Sequence, residues 1–347
     1  MPVEKTVISN TPNVYECFPC LTRTQSGKLL VTYRESDSHV GSEYTHLIVR
    51  ESLDDGVTWS ERRVVAESYQ QDGVLFKWNC SRIGQLADGR VWLLCDGFDQ
   101  PPGENTRDSE RPALTFFWWS DDDGTTWVGP GKTPIMGIVP DKLVVTRDGT
   151  WLVAAQMHDP GLGNLVQYVY RSVNEGANWV QHVVCRQQGL NPCEASIIQL
   201  VDDGLLVCYL RENSGKGLPG PKCLSRDDGQ TWEGPYDTDM IGCHRPVAGF
   251  LPSGQIMITH RHTCRGVRGS AKNFFAFREP VESARETDPD KQGGIILPLD
   301  HDRWESPDQG YSGWVTLPDE RLFVVNYIRD DGPMAQIRGY WLSEQDF

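Results

Sequence analysis

Four arginines, two acids, a histidine and two tyrosines stand at matching places in a repeated hairpin pattern. With the turn glycine of each hairpin as zero, the residues seven positions after it are Arg34, Asp96, Gln156, Arg211, Arg261 and Tyr327. Nine and ten positions before it stand Phe18 and Cys17, Cys80 and Asn79, and Pro140 and Val139. The remaining three copies place Ala195 and Glu194, Arg245 and His244, and Tyr311 and Gly310 there. Charged residues are seldom buried unless paired, so one reading is solvated strand ends carrying structural ion pairs. The other is a single pocket lined by Arg34, Arg211, Arg245, Arg261, Glu194, Asp96, His244 and Tyr311. Arginines converging on one mouth are costly without a counter-charge. That pocket would therefore take a carboxylate or a phosphate.

Two interleaved repeats must position these residues. The first reads S-x-D/N-x-G-x-T/N-W and occurs at Ser52–Trp59, Ser120–Trp127, Ser172–Trp179 and Ser225–Trp232. Its Asp or Asn bonds nearby backbone N–H groups, its Gly supplies positive φ, and its Trp anchors the turn in apolar packing. The second is an apolar strand, a tight turn and another apolar strand, centred on Gly27, Gly89, Gly149, Gly204 and Gly254, with Glu320 in the glycine slot of the last copy. These are β-hairpin signals, and helical periodicity is hard to find. Six hairpins, each followed by further strand, predict an all-β, six-bladed propeller of four-stranded antiparallel blades. One domain would span residues 1–347, with blades starting near 17, 79, 139, 193, 244 and 310. Blade five lacks the turn motif, and its third strand is expected over 270–277. Blade six has strand 335–342 but no following chain for a fourth. The segment Val3–Ser9 is expected to supply it, which hides an exposed edge.

Composition narrows the partners. The chain has 48 acidic and 33 basic residues and a net charge of −15, which argues against nucleic acid. No apolar run approaches a membrane span. Residues 1–10 lack a basic start followed by an apolar stretch, so the expected location is cytoplasmic, with a secreted mature form left open. Ten cysteines in this length do not form a disulfide framework, and their spacings support zinc weakly. Cys17, Cys20, Cys80, Cys193 and Cys243 read better as small buried hydrophobes than as a thiolate site. Trp78, Trp118 and Trp314 could stack on a sugar or pack in the core.

The Asp-box turns, six blades and site pattern resemble the sialidase (neuraminidase) superfamily over nearly the whole chain. Asn191-Pro-Cys-Glu194 followed by Arg211 is similar to the family's glutamate and its later arginine. Tyr311-Ser312 is similar to the tyrosine that opens the last blade, and Arg245 stands where a third arginine is expected. One departure is clear. The family opens blade one with Arg-Ile-Pro-x-Leu, whereas this chain has Cys17-Phe-Pro-Cys-Leu21, leaving Arg34 or Arg82 to replace the first arginine.

The resemblance implies removal of a terminal sialic acid, or a related acidic sugar, from a glycan, with no metal or cofactor. It implies Tyr311 as nucleophile, Glu194 as its base, and Arg211, Arg245 and Arg34 as the carboxylate clamp. The acid that protonates the leaving oxygen is expected in the loop after blade one's second strand: Asp37 first, then His39 and Glu43. His244 and Asp96 would touch sugar hydroxyls or make structural hydrogen bonds. Two other readings stay open, a lyase acting on uronic-acid polysaccharides and a non-catalytic glycan-binding propeller. The oligomeric state is open as well.

Overall fold

The structure, a computed structural model, describes residues 3–101, 112–263, 272–330 and 332–347. Six antiparallel sheets make it a six-bladed β-propeller. Its strands fall into two compact units, Met1–Val139 with Asp302–Asp346, and Pro140–His301. The first holds blades one, two and six, and the second holds blades three, four and five.

In the first unit the expected closure is present. Strand Glu4–Ser9 pairs antiparallel with Gln336–Leu342 and completes blade six. Glu320 has φ 67 in the turn of that blade, the backbone its glycine slot requires. Blade six's innermost strand, Gln309–Thr316, lies so close to that of blade one, Tyr15–Arg23, that a Cβ on Gly313 would meet the Leu21 nitrogen at 2.5 Å. Blade two carries more than was expected. Tyr69–Gln71 adds a fifth strand, through a tight turn at Asp72 and Gly73, both with positive φ.

The Asp-box turns fold alike and join neighbouring blades. In the first, Asp54 Oδ1 accepts from the Ser52 hydroxyl and the Thr58 amide, each at 2.8 Å, and Gly56 N–H donates to Ser52. Hydrogen bonds from Thr126, then Ser120, hold the equivalent Asp122 down at about 2. In three of the four boxes the residue before the glycine offers its carbonyl to an adjoining blade. Asp55 receives Trp341 and Asp123 receives Lys28 in the first unit, and Asp228 receives Arg171 in the second.

In the second unit, blade three opens with only Val144–Val145. Lys142 Nζ donates to the Ser196 hydroxyl and the Ala248 carbonyl, both at 3.3 Å, and Ile197 N–H donates to Asp141. These bonds tie the innermost strands of blades four and five to the chain entering blade three. Blade five's third strand is Lys272–Glu279; residues 270 and 271 of the expected strand lie outside the described residues.

Removing residues 1–9 deletes one strand from blade six and exposes the edge of Gln336–Leu342. We expect the melting temperature to fall by about 10 °C or more, the scale of several kcal/mol in a chain of this size. An unchanged melt would show that the pairing contributes nothing to stability.

Candidate functional site

The site residues stand where the innermost strands bulge. Pairing shifts register between Cys17 and Cys20 in blade one, Cys193 and Ser196 in blade four, His244 and Val247 in blade five, and Gly310 and Gly313 in blade six. A bulge inserts an unpaired residue and re-aims its side chain. At these four bulges Phe18, Glu194, Arg245 and Tyr311 have φ of 59, 51, 52 and 56. Left-handed backbone is uncommon for residues other than glycine, and it persists only where surrounding structure enforces it.

This corrects the register of blade four. Equal offsets from the turn placed Ala195, not Glu194, with Phe18, Arg245 and Tyr311. In the other five hairpins the amide at the glycine slot reaches back three residues, as from Gly27 to Thr24. In blade four Gly204 reaches back four, to Leu200, because the turn holds one more residue. Counting across it shifts every upstream position by one. Glu194 is therefore the equivalent of Tyr311 and Arg245.

The first unit surrounds Tyr311 with aromatic rings and one guanidinium. Tyr311 is buried, with its ring 4.6 Å from Phe18 and 6.3 Å from Tyr327. Arg34, paired across the strands from Cys17, lies 4.5 Å over the Phe18 ring. A guanidinium over a desolvated aromatic face is held by about 2 kcal/mol. Arg34 also donates to Asn79 Oδ1 at 3.1 Å and to the His39 carbonyl at 2.7 Å.

Asn79 in turn donates to Asp96 at 2.8 Å, and Asp96 accepts the Cys80 and Val139 amides as well. Asp96 is fully buried, which raises its pKa against those bonds. Both its oxygens serve the protein, so it orients Asn79 and through it Arg34, which favours the structural one of its two expected roles. Arg82 is buried in blade two's innermost strand, near the Ser81 carbonyl at 3.4 Å.

The Cys17 thiol is pushed up to about 12 by burial, and burial raises Cys193 and Cys243 too, which suits neutral filling groups. Trp78 and Trp118 are likewise core residues, 5.0 Å apart in a buried aromatic cluster with Phe76 and Phe116. Asp37 serves its own loop, accepting the Glu43 amide at 3.0 Å.

The second unit carries the other charges. Arg211 Nη1 donates to Glu194 Oε1 at 2.7 Å, with Nη2 on Asn213. Both partners are largely buried, and the Glu194 amide is held by Gln156 at 3.2 Å. Arg245 is fully buried and donates to the Pro140 carbonyl at 3.0 Å. His244 Nδ1 faces Arg261 at 3.4 Å and Thr263 at 3.2 Å. Burial, then Arg211 and Arg261, hold His244 well below the usual imidazole range. It is a neutral hydrogen-bonding group.

His260, buried in the same strand as Arg261, is pushed down to about 4 by burial. A base with a lowered folded pKa costs no stability above pH 6.5, where both states are neutral. As pH falls from 6.5 to about 4, the unfolded chain takes up a proton that the folded chain refuses, and stability is lost. His260→Phe removes that uptake. The variant should gain on wild type as pH falls through this window, by up to about 3 kcal/mol near pH 4. Denaturant titrations at several pH values would read it, and parallel profiles for the two proteins would refute the burial argument.

Comparison with known proteins adds the fold and the family. Over 99% of this chain and 98% of its own, a Dyadobacter fermentans protein of unknown function superposes with a TM-score of 0.76 at 21% identity. A Hadza microbial sialidase matches 95% of this chain and 66% of its own, with a TM-score of 0.70 at 20% identity. The NanB sialidase from Streptococcus pneumoniae matches 100% of this chain and 71% of its own, with a TM-score of 0.70 at 13% identity. This chain therefore spans about two thirds of the length of these two sialidases. No curated protein matches it in sequence. A family model, the BNR repeat-like domain, matches residues 77–280, more than half of the chain, and the chain belongs to that family.

Proposed function

We propose that the chain is a glycosidase of exo-sialidase type, releasing a terminal sialic acid or related acidic sugar from a glycan. The observation that carries this reading is the identity of the left-handed bulge residues. Phe18 aside, they are Tyr311, Glu194 and Arg245: a nucleophile, a base and an anion-binding group. Each such backbone costs about 1–3 kcal/mol, and strain of this kind clusters at functional sites. The sialidase fold of several structural neighbours supports the same reading.

The chemistry follows from the substrate. Sialic acid carries a carboxylate beside its anomeric carbon, which would repel a carboxylate nucleophile. A neutral tyrosine meets no such repulsion, and sialidases use one. A phenol ordinarily titrates near 10, so attack at neutral pH needs a base. In this reading Glu194 takes the proton from Tyr311. Arg211, paired with that carboxylate, binds the substrate carboxylate together with Arg245. Arg34 stands across from Cys17, where the family's first arginine is missing, and serves as the third member. Arg261 and His244 serve the sugar's hydroxyls as donors, since His244 Nδ1 accepts from Arg261 and the neutral ring then carries its proton on Nε2.

Tyr311→Phe keeps the ring's packing against Phe18 and removes the attacking oxygen. Fold and melting temperature should hold, while hydrolysis of a fluorogenic sialoside should fall by about 10³-fold or more, as expected when a covalent route is lost. A difluoro sialic acid probe should label wild type at Tyr311 and leave the variant unmodified. Near-normal turnover by Tyr311→Phe would overturn the nucleophile. An unsaturated product from a uronic-acid polymer would replace the hydrolase with a lyase. Arg211→Lys keeps the charge but loses the planar fork shared by Glu194 and Asn213, so KM should rise as kcat falls.

A further inference from the structure

Within the proposed hydrolysis, the departing sugar oxygen has to receive a proton, and in the first unit one side chain is built to give it. We infer that His39, oriented by Asp308, is the general acid of the reaction, an inference that rests on the glycosidase reading above.

The observations are geometric. His39 Nδ1 is hydrogen-bonded to the Asp308 carboxylate. Asp308 is itself buried and fixed by the hydroxyls of Tyr15 and Tyr327 and by its own amide, which donates to Asp302. His39 is one-third exposed at its side chain, so the imidazole is anchored at one nitrogen and open to solvent at its surface. Its ring packs T-shaped with Phe18, centroids 5.2 Å apart, and the Phe18 and Tyr311 rings are 4.6 Å apart. Imidazole and phenol thus flank one aromatic ring. The His39 carbonyl accepts from Arg34, which also lies over Phe18. Among the described residues nothing comparable holds Asp37, whose carboxylate closes its own loop on Glu43.

A carboxylate on Nδ1 fixes the tautomer and orientation of an imidazole and stabilises its protonated form. Nε2 is then the nitrogen that meets substrate. In the first step the Nε2 proton passes to the glycosidic oxygen as the C–O bond breaks, the bonding pair leaving with that oxygen as a neutral alcohol. The Tyr311 oxygen bonds to the anomeric carbon, its proton going to Glu194. In the second step water attacks that carbon and gives its proton to Nε2. The tyrosine oxygen departs and recovers its proton from Glu194, restoring every group.

The test is leaving-group dependence, read as kcat/KM, which reports only the steps through cleavage. Two sialosides are compared, one with a methylumbelliferyl leaving group, which departs without protonation, and sialyllactose, whose sugar alcohol does not. His39→Asn should lose about 10²-fold or more on sialyllactose and change by less than about 5-fold on the aryl substrate. Asp308→Asn, a positioning variant, should show the same selectivity, more weakly. Asp37→Asn should leave both rates near wild type. Equal loss on both substrates, or no loss on either, would overturn the role of His39, and selective loss in Asp37→Asn would move the acid there. Should His39→Asn fail to fold, His39→Gln is read in the same way. Wild type cleaving neither substrate would sink the glycosidase reading and this inference together, whereas every variant outcome bears on His39 alone.

Discussion

The bulge in the innermost strand is the constraint on which the rest depends. A regular strand sends successive side chains to opposite faces and fixes each one's direction. One extra residue, held with positive φ, breaks that alternation at a single place and points one side chain along the strand end. Phe18, Glu194, Arg245 and Tyr311 all stand there. The strain is tolerable because the strand is paired on both sides of each bulge, as by Cys17 with Arg34 and Cys20 with Thr32 in blade one. Side chains catch the amides that the bulge frees. Asn326 takes the amide of Gly310, Asp96 that of Cys80, and Gln156 that of Glu194. Asn326 and Asp96 come from the second strand of the hairpin that bulges, and Gln156 from the second strand of blade three, so a bulge is supported by its own hairpin or by the neighbouring one.

Blade contacts then hold the bulges in register. The first, second and fourth Asp boxes fold on their own residues, yet each gives a backbone carbonyl to a neighbouring blade. A Cβ on the box glycine Gly56 would meet the Phe323 ring at 2.7 Å, and one on Gly124 would meet Leu30 at 2.5 Å. Only glycine lets these turns press so closely, and the same residue supplies the positive φ. Local turn chemistry and blade packing therefore ask for the same sequence. Such agreement between levels is what lets a chain specify one fold.

That agreement is why so much was legible. The box, the hairpin period and the missing last strand are local patterns, and they gave the blades, the closure by residues 3–9 and the slot of Glu320. What counting could not see was the extra residue in the turn from Leu200 to Leu205, since Gly204 looks like any other turn glycine. The fifth strand at Tyr69–Gln71 was missed although Asp72-Gly73 is a hairpin signal. The choice between the two roles expected of Asp96 was not legible because burial is a tertiary property. The pairing of His39 with Asp308 crosses 269 positions, and its sole sequence hint is that Asp308 stands three residues before Tyr311.

Net charge and local charge pull in opposite directions here. A protein of −15 repels an anionic glycan at long range. At physiological salt that repulsion fades within a Debye length of about 8 Å, while charges inside a dry site are screened far less. His244 reports the local field. Beyond its burial, Arg211, Arg261 and Lys272 all push it toward the neutral form, which happens only where positive potential dominates. The same potential that denies His244 a proton is what an acidic sugar would meet. Because Arg211 is anchored by Glu194 and Asn213 and Arg245 by the Pro140 carbonyl, that potential is in place before any ligand arrives. The binding energy of an anion is then not spent on gathering the arginines, and remains for the interactions that form only as the glycosidic bond breaks.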